Sequence, residues 1–339
     1  MAITRRRFLL GSCAGLAAVT ARLAPGAESE PVVQTVLGPI APAKLGFTLA
    51  HEHVMCDFIG AAETGRHRWD VDAVVKRMLP VLAQLKERGV TGFIDCTPAY
   101  IGRDPRVLKR LAEATGLHIV TNTGYYGGAN DKYVPQHAYA ESSDQLAARW
   151  MKEWREGIED TGVKPGFMKI GVDEIKGEEL SQIDEKLVRA AARVSITTGL
   201  TAVCHTGGGA AGLAATKLFI KEKARADRFV VAHSDGHGLS CNEQVAELGA
   251  WVSLDGISRR PLEEHLKLVT ALSEKHAARL LLSHDNGWYS VGEENGGKVR
   301  DFNYLTDTFL PALKKSISSE MIRKLTVENP ARAFSIRTS

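Results

Sequence analysis

A single-domain (β/α)8 barrel is the fold that this sequence predicts, on three observations. Eight short runs rich in Val, Ile and Phe recur along the chain, amphipathic stretches of helical period separate them, and no linker interrupts the 339 residues. Strands joined through helices run parallel, because a helical crossover returns the chain in the direction it left. The length exceeds an ordinary domain, yet barrels of this kind commonly pass 200 residues as one unit. A doubly wound sheet would usually carry a glycine-rich phosphate loop after its first strand, and none follows His53.

The first 27 residues differ in kind. Thr4-Arg5-Arg6-Arg7-Phe8-Leu9-Leu10 sets arginines before a short apolar segment, and small residues lead on to Ala21 or Ala27. This is the pattern of a twin-arginine export signal, which places the mature protein in the periplasm or beyond. It is too short for a membrane span and Arg22 interrupts it, so no stable membrane insertion is expected after its removal. The barrel domain is then residues 32–339. Residues 32–40 predict a hairpin closing one end. The strands are predicted at 46–53, 91–97, 118–123, 166–172, 201–206, 228–234, 250–255 and 279–285. Helical periodicity occupies 71–88, 105–114, 143–159, 183–198, 212–224, 261–277 and 305–316. Aperiodic segments at 56–70, 125–139 and 287–301 follow strand ends and would ring the C-terminal mouth, where barrels place their sites.

Composition excludes several function classes. Hydrophobic residues at 44% and charged residues at 24% describe an ordinary globular chain. The formal charge of +3 rests on the leader: without Arg5, Arg6, Arg7 and Arg22, 39 basic side chains face 40 acidic ones and the net charge is −1. A basic surface for nucleic acid is therefore not expected, and the partner is a small molecule. Of the four cysteines outside the leader, Cys56, Cys96, Cys204 and Cys241, two fall in strands and none forms a CxxC pair; buried free thiols are expected.

Polar residues inside the apolar runs carry the chemistry. His51 and His53 end the first run, Lys169 sits in the fourth, His205 ends the fifth, His233 the sixth and Asp285 the eighth. In a barrel all six would meet at the C-terminal mouth. Residues two apart share a face of a strand, so His51 and His53 can aim at one point, as a metal ion requires, although a lone pair of histidines fits hydrogen-bonded core positions equally well. The same parity sets His205 against Cys204 and Asp285 against His284, and leaves Glu52 and His284 structural. His237 is open, while His67, His118, His137, His265 and His276 fall where hydrogen-bonded or solvated roles are expected. Lys169 is the odd member, because an ammonium repels a cation and a buried one is costly. Either its pKa is depressed or it has reacted with carbon dioxide to an anionic carbamate.

With GFTLAHEH (46–53), IGRD (101–104), GIEDTG (157–162), AAARVSITTG (190–199), AHSD (232–235) and VENPARAFS (327–335), these residues resemble the phosphotriesterase family of the amidohydrolase superfamily over nearly the whole mature chain. The resemblance implies a metal-dependent hydrolase with two divalent ions, zinc in the first place, with cobalt, manganese or iron as alternatives. His51, His53 and Asp285 would hold the inner ion, His205 and His233 the outer one, and N6-carboxylated Lys169 would bridge them. Asp255 matches the family's acid after strand seven and would relay protons with Asp285 and His233. A hydroxide shared by the ions would attack an ester, lactone or phosphotriester. Tyr126 stands where the family's lactonases have a tyrosine, favouring a carboxylic ester or lactone; an organophosphate triester hydrolase is the alternative. Gly256 matches neither specificity, and the short 257–262 segment implies an open rim. Homologous barrels imply a homodimer. A mononuclear deaminase would not need Lys169, and a noncatalytic binding barrel would be expected to lack some of the ligands, none of which is missing.

Overall fold

The computed structural model describes residues 30–175 and 179–336; the export-signal segment lies outside the described residues. The chain begins with an antiparallel hairpin of β1 (Val33–Thr35) and β2 (Gly38–Ile40). Val33 packs with Leu45, Phe167 and Phe334, which plugs the N-terminal end of the barrel.

The strands and helices then alternate. They are β3 (Thr48–Cys56), α1 (Val71–Glu87), β4 (Gly92–Asp95), α2 (Pro105–Thr115), β5 (His118–Val120), β6 (Asn122–Thr123), α3 (Gln136–Ala140), α4 (Ser143–Glu156), β7 (Phe167–Val172), α5 (Gln182–Thr198), β8 (Ala202–Thr206) and α6 (Gly209–Lys221). The round is completed by β9 (Phe229–Val231), α7 (Leu239–Glu247), β10 (Trp251–Leu254), α8 (Leu262–His276), β11 (Leu280–Leu282) and β12 (Gly287–Ser290). Every neighbouring pair from β3 onward is parallel. β5 and β6 are one barrel strand broken at Thr121, and β11 and β12 are two parts of the eighth. The ring closes where β12 pairs with β3 and where the N–H of Asp285 donates to the His51 carbonyl at 3.1 Å.

Local chemistry explains the boundaries. Asp70 accepts the N–H of Ala73 at the start of α1, Pro105 opens α2 behind Asp104, and Ser142 with Gln145 forms a capping box on α4. The inward residues Ile94, Val120, Phe167, Val203, Val230 and Leu281 fill the barrel interior. The opposite faces pack under the helices in the larger core.

Two boundaries depart from the sequence prediction. The first strand does not stop at His53 but runs to Cys56, because β12 supplies it with a partner there. Gly287 makes that pairing possible: its φ is +92°, and a Cβ would stand 2.1 Å from the His53 carbonyl oxygen. The helix predicted at 305–316 opens as a π turn, Leu305–Phe309, before an α-helical turn, Leu310–Leu313. Pro311 has no N–H to return to the carbonyl four residues back, so the α ladder cannot run through it.

Candidate metal centre

A bulge in β3 aims the first imidazole. Leu49 pairs with Phe93 and Glu52 with Asp95, so three steps on β3 oppose two on β4. The extra residue turns both Ala50 and His51 toward the barrel axis, and ordinary alternation then leaves Glu52 outward and His53 inward. His233 and Asp285, just past β9 and β11, adopt left-handed backbone, with φ of 61° and 56°. Neither is glycine or asparagine, so both conformations cost energy that the surrounding packing must offset.

Hydrogen bonds decide which ring nitrogens are free. The Thr97 hydroxyl has one proton, which it donates to the Met55 carbonyl at 3.0 Å; it therefore accepts from Nδ1 of His53 at 2.8 Å. The lone pair of His53 is then on Nε2, which faces Asp285 Oδ1 at 2.9 Å. Two acceptors at that distance require a shared cation, a proton or a metal ion. Asp255 repeats the pattern twice, with Oδ2 2.9 Å from His51 Nδ1 and Oδ1 2.8 Å from His233 Nδ1. It fixes both imidazoles through the nitrogen that faces away from the cavity. His51 Nε2 then lies 3.1 Å from Lys169 Nζ and 3.9 Å from Asp285 Oδ1.

The donor atoms of His51, His53 and Asp285 lie within 4.8 Å of one another and fit one ion. His51, His233 and Asp255 form a second group as tight, but the close approach of Asp255 to His51 and its hydrogen bond to His233 account for it. His205 sits beside His233, ring centroids 4.5 Å apart, and Tyr126 packs on its other side at 4.8 Å. Tyr126, Phe58, Ile101, Tyr133 and Trp288 wall the cavity of about 140 Å³ into which these donors point. All six expected ligands line that cavity, as does Tyr126, whereas Asp255 stands behind His51 and His233. A larger groove of about 470 Å³ over Trp69, Tyr100 and Arg103 contains none of them.

Charge states suit cation binding. Burial, with the Lys169 charge, lowers the His51 pKa to about 4, and burial with the neighbouring His233 holds His205 well below its usual value, so both rings stay neutral. Burial alone would raise Asp285 and Asp255. The His53 hydrogen bond and the flanking imidazoles hold Asp285 well below the carboxylate range, and His233 and His51 do the same for Asp255. Burial and the Asp285 charge push the Tyr126 phenol up, so it remains a hydrogen-bond donor. Lys169 is buried, and among the described residues no carboxylate lies within ion-pair distance of it.

The remaining histidines fall outside this cluster. His284 is bound by Glu52, His265 by Asp235 at 2.7 Å, and His237 approaches Thr206 at 3.3 Å. Among the described residues the four cysteines are free thiols, three of them buried. Three contributors escaped the sequence reading: Thr97, Trp288 and Arg259. Instead of leaving the rim open, the 257–262 segment sends Arg259 back over the site, its guanidinium 2.8 Å from Asp285 Oδ2. Nothing local marks Arg259, since the pairing spans 26 residues and depends on barrel closure.

Against known proteins, the model of the phosphotriesterase family matches residues 31–334. A phosphotriesterase homology protein of Mycobacterium tuberculosis is 31% identical over 322 residues, covering 90% of this chain and 98% of the relative. An aryldialkylphosphatase of Saccharolobus solfataricus is 25% identical over 305 residues, covering 86% and 95%. Among solved structures, a mutant of the PTE-like lactonase of Deinococcus radiodurans matches with a TM-score of 0.80 at 29% identity, covering 89% of this chain and 99% of that one.

Proposed function

This chain belongs to the phosphotriesterase family, and on that premise we propose that it is a metal-dependent hydrolase that prefers carboxylic esters or lactones to phosphotriesters. One observation carries the hydrolase reading: the lone-pair nitrogens of His51 and His53 converge with Asp285 and the buried Lys169 on one cavity. Bound there, divalent ions would activate a water and polarise the electrophile. His51, His53 and Asp285 would hold one ion, His205 and His233 another, with Lys169 between them as its carbamate.

The protein's own groups do the rest. Thr97 and Asp255 keep the imidazoles oriented. Asp285 accepts a proton from the attacking water, and Asp255, linked to His233, offers the outward path. Tyr126 presents a protonated phenol to the carbonyl oxygen. The small, aromatic-walled cavity favours a planar acyl group over a tetrahedral phosphorus bearing three substituents. Lactonase and aryldialkylphosphatase are both names borne by relatives, so the family framework accommodates either reaction.

A panel of lactones, carboxylic esters and phosphotriesters, compared by kcat/KM on zinc-, cobalt- and manganese-loaded protein, tests this. Lactones or esters should lead by about 10-fold or more. A lead for phosphotriesters would overturn the preference, and no turnover of any class together with no bound metal would overturn the hydrolase reading. We place the mature enzyme outside the cytoplasm on the twin-arginine pattern; export of a reporter fused to residues 1–27 that survives replacement of Arg5 and Arg6 by lysine would contradict that.

A further inference from the structure

The rim of the cavity carries more positive charge than the reaction needs. Arg259, from the loop after β10, and Arg300, beyond β12, both lie against Trp288, their guanidinium carbons 5.7 and 4.4 Å from its ring centroid. Trp288 in turn stands edge-on to His53, ring centroids 5.7 Å apart, and lines the cavity. The two cations are therefore held beside the donor cluster by one aromatic side chain.

Their counterions are too few. Among the described residues Arg300 has no carboxylate within ion-pair distance, and its side chain is exposed. Arg259 has one, Asp285, which also faces His53 and His51. An ion held by His51, His53 and Asp285 would draw on the same carboxylate through Oδ1 and leave Arg259, on Oδ2, only partly neutralised. Burial first, and then the neighbouring Arg259, depress the Arg300 pKa against the opposing charge of Asp285. The backbone at this rim is also strained, with φ of 106° at Ser258 and 44° at Trp288. A strained loop that holds two underpaired guanidinium groups at a pocket entrance is arranged for a ligand more than for stability.

Resting on the hydrolase reading above, we propose that the substrate carries a fixed oxyanion, a carboxylate, phosphate or sulfonate, beside the bond that is hydrolysed, and that Arg259 and Arg300 bind it against Trp288. A planar guanidinium suits all three anions because its paired N–H groups match two oxygens at once.

Matched ester pairs test the proposal on metal-loaded protein, each pair differing only in a neutral or an anionic terminus, with carboxylate, phosphate and sulfonate as separate arms. The anionic member of at least one pair should have a kcat/KM about 10-fold higher or more, carried mainly by KM, and added salt should erode the advantage. In R259Q/R300Q the anionic-to-neutral ratio should fall toward one. R300Q alone, which breaks no ion pair, should lower it in part and covers the case in which loss of Arg259 disturbs folding. Tryptophan emission titrated with acetate, methyl phosphate and methanesulfonate gives a readout independent of turnover. A saturable change present in the wild type, absent in W288F and weakened about 10-fold in R259Q/R300Q supports the anion site even if no ester is cleaved. Ratios near one for every wild-type pair, or ratios and titrations indifferent to both arginines, would overturn it.

Discussion

Glu52 accepts a 2.7 Å hydrogen bond from Nδ1 of His284, and both side chains are fully buried on the face of their strands opposite the donor cluster. The Leu305 N–H donates to Nε2 of the same ring at 2.8 Å, so the imidazole is neutral with its proton on Nδ1. The Glu52 carboxylate also takes the Ser283 hydroxyl and the N–H groups of His284 and Asn286. Glu52 thus fastens the first strand to the residues on either side of Asp285, and the left-handed turn at Asp285 is fixed from behind.

Removing that fastening should be costly. E52A leaves the Nδ1–H, a hydroxyl and two backbone N–H groups without a partner in a dry site, for an expected loss of about 3–5 kcal/mol. E52Q keeps the shape but loses charge-assisted bonds, and about 1–3 kcal/mol is expected. Urea denaturation of the metal-free protein measures both, and a loss below about 1 kcal/mol for E52A would contradict the assigned role.

Asp255 is predicted to act through the imidazoles that it orients. An asparagine can present only one carbonyl to the two Nδ1–H groups now served by separate oxygens. One ring would then lose its tautomer, and metal affinity should fall by about 10–100-fold. Competition against a metal chelator reads this directly, and an unchanged affinity in D255N would rule it out.

How much of this could be seen in the chain beforehand follows from the distance over which each feature is encoded. Buried polar residues at the ends of apolar runs are a local signal, so His51, His53, Lys169, His205, His233 and Asp285 were visible, as was the alternation that sets Glu52 and His284 outward. The bulge between Leu49 and Glu52 was not, because a bulge is defined by the partner strand and no glycine marks it. The left-handed turns at His233 and Asp285 were hidden for a related reason: histidine and aspartate tolerate that conformation without requiring it, and tertiary packing selects it. Thr97 read as an ordinary strand residue until its hydroxyl met His53 across 44 positions. Arg259 lay unremarked in the short 257–262 segment, since a long side chain gives no sign of where its tip will lie.

A buried carboxyl away from the cavity sets a pH dependence. Asp184, nearly inaccessible to solvent, receives the Asp173 N–H at 3.3 Å. Burial raises its pKa to about 7, with Asp131 and Asp173 adding to the rise against the hydrogen bonds that oppose it. A carboxyl with a raised folded pKa binds its proton more tightly in the folded state, so its stabilising contribution is intact below the unfolded value near 4 and is lost as pH rises toward 7. D184N removes that titration, so its stability relative to wild type should improve between pH 4 and pH 8, by about 1–3 kcal/mol. Urea midpoints at the two pH values give the comparison, and a difference that stays flat, or moves the other way, would refute the shift.

Lys169 is buried among the expected ligands. Its Nζ is 3.1 Å from His51 Nε2 and has no described carboxylate to neutralise it, and a buried ammonium in that position costs several kcal/mol. As the proposed carbamate, the lysine would offer a second ion an anionic oxygen in place of an ammonium. K169M should therefore retain the ion held by His51, His53 and Asp285 while losing most of the other, lowering metal content to about one ion per chain. K169E, which returns a carboxylate three bonds shorter, should recover part of the second ion but little of the activity, because placement at the reacting centre tolerates only small displacements. Elemental analysis of the purified variants, with native mass spectrometry of the wild type for the added carbon dioxide, decides the matter. If K169M bound as much metal as wild type and the wild-type lysine carried no adduct, Lys169 would be a plain core amine and the second ion would have no bridging ligand.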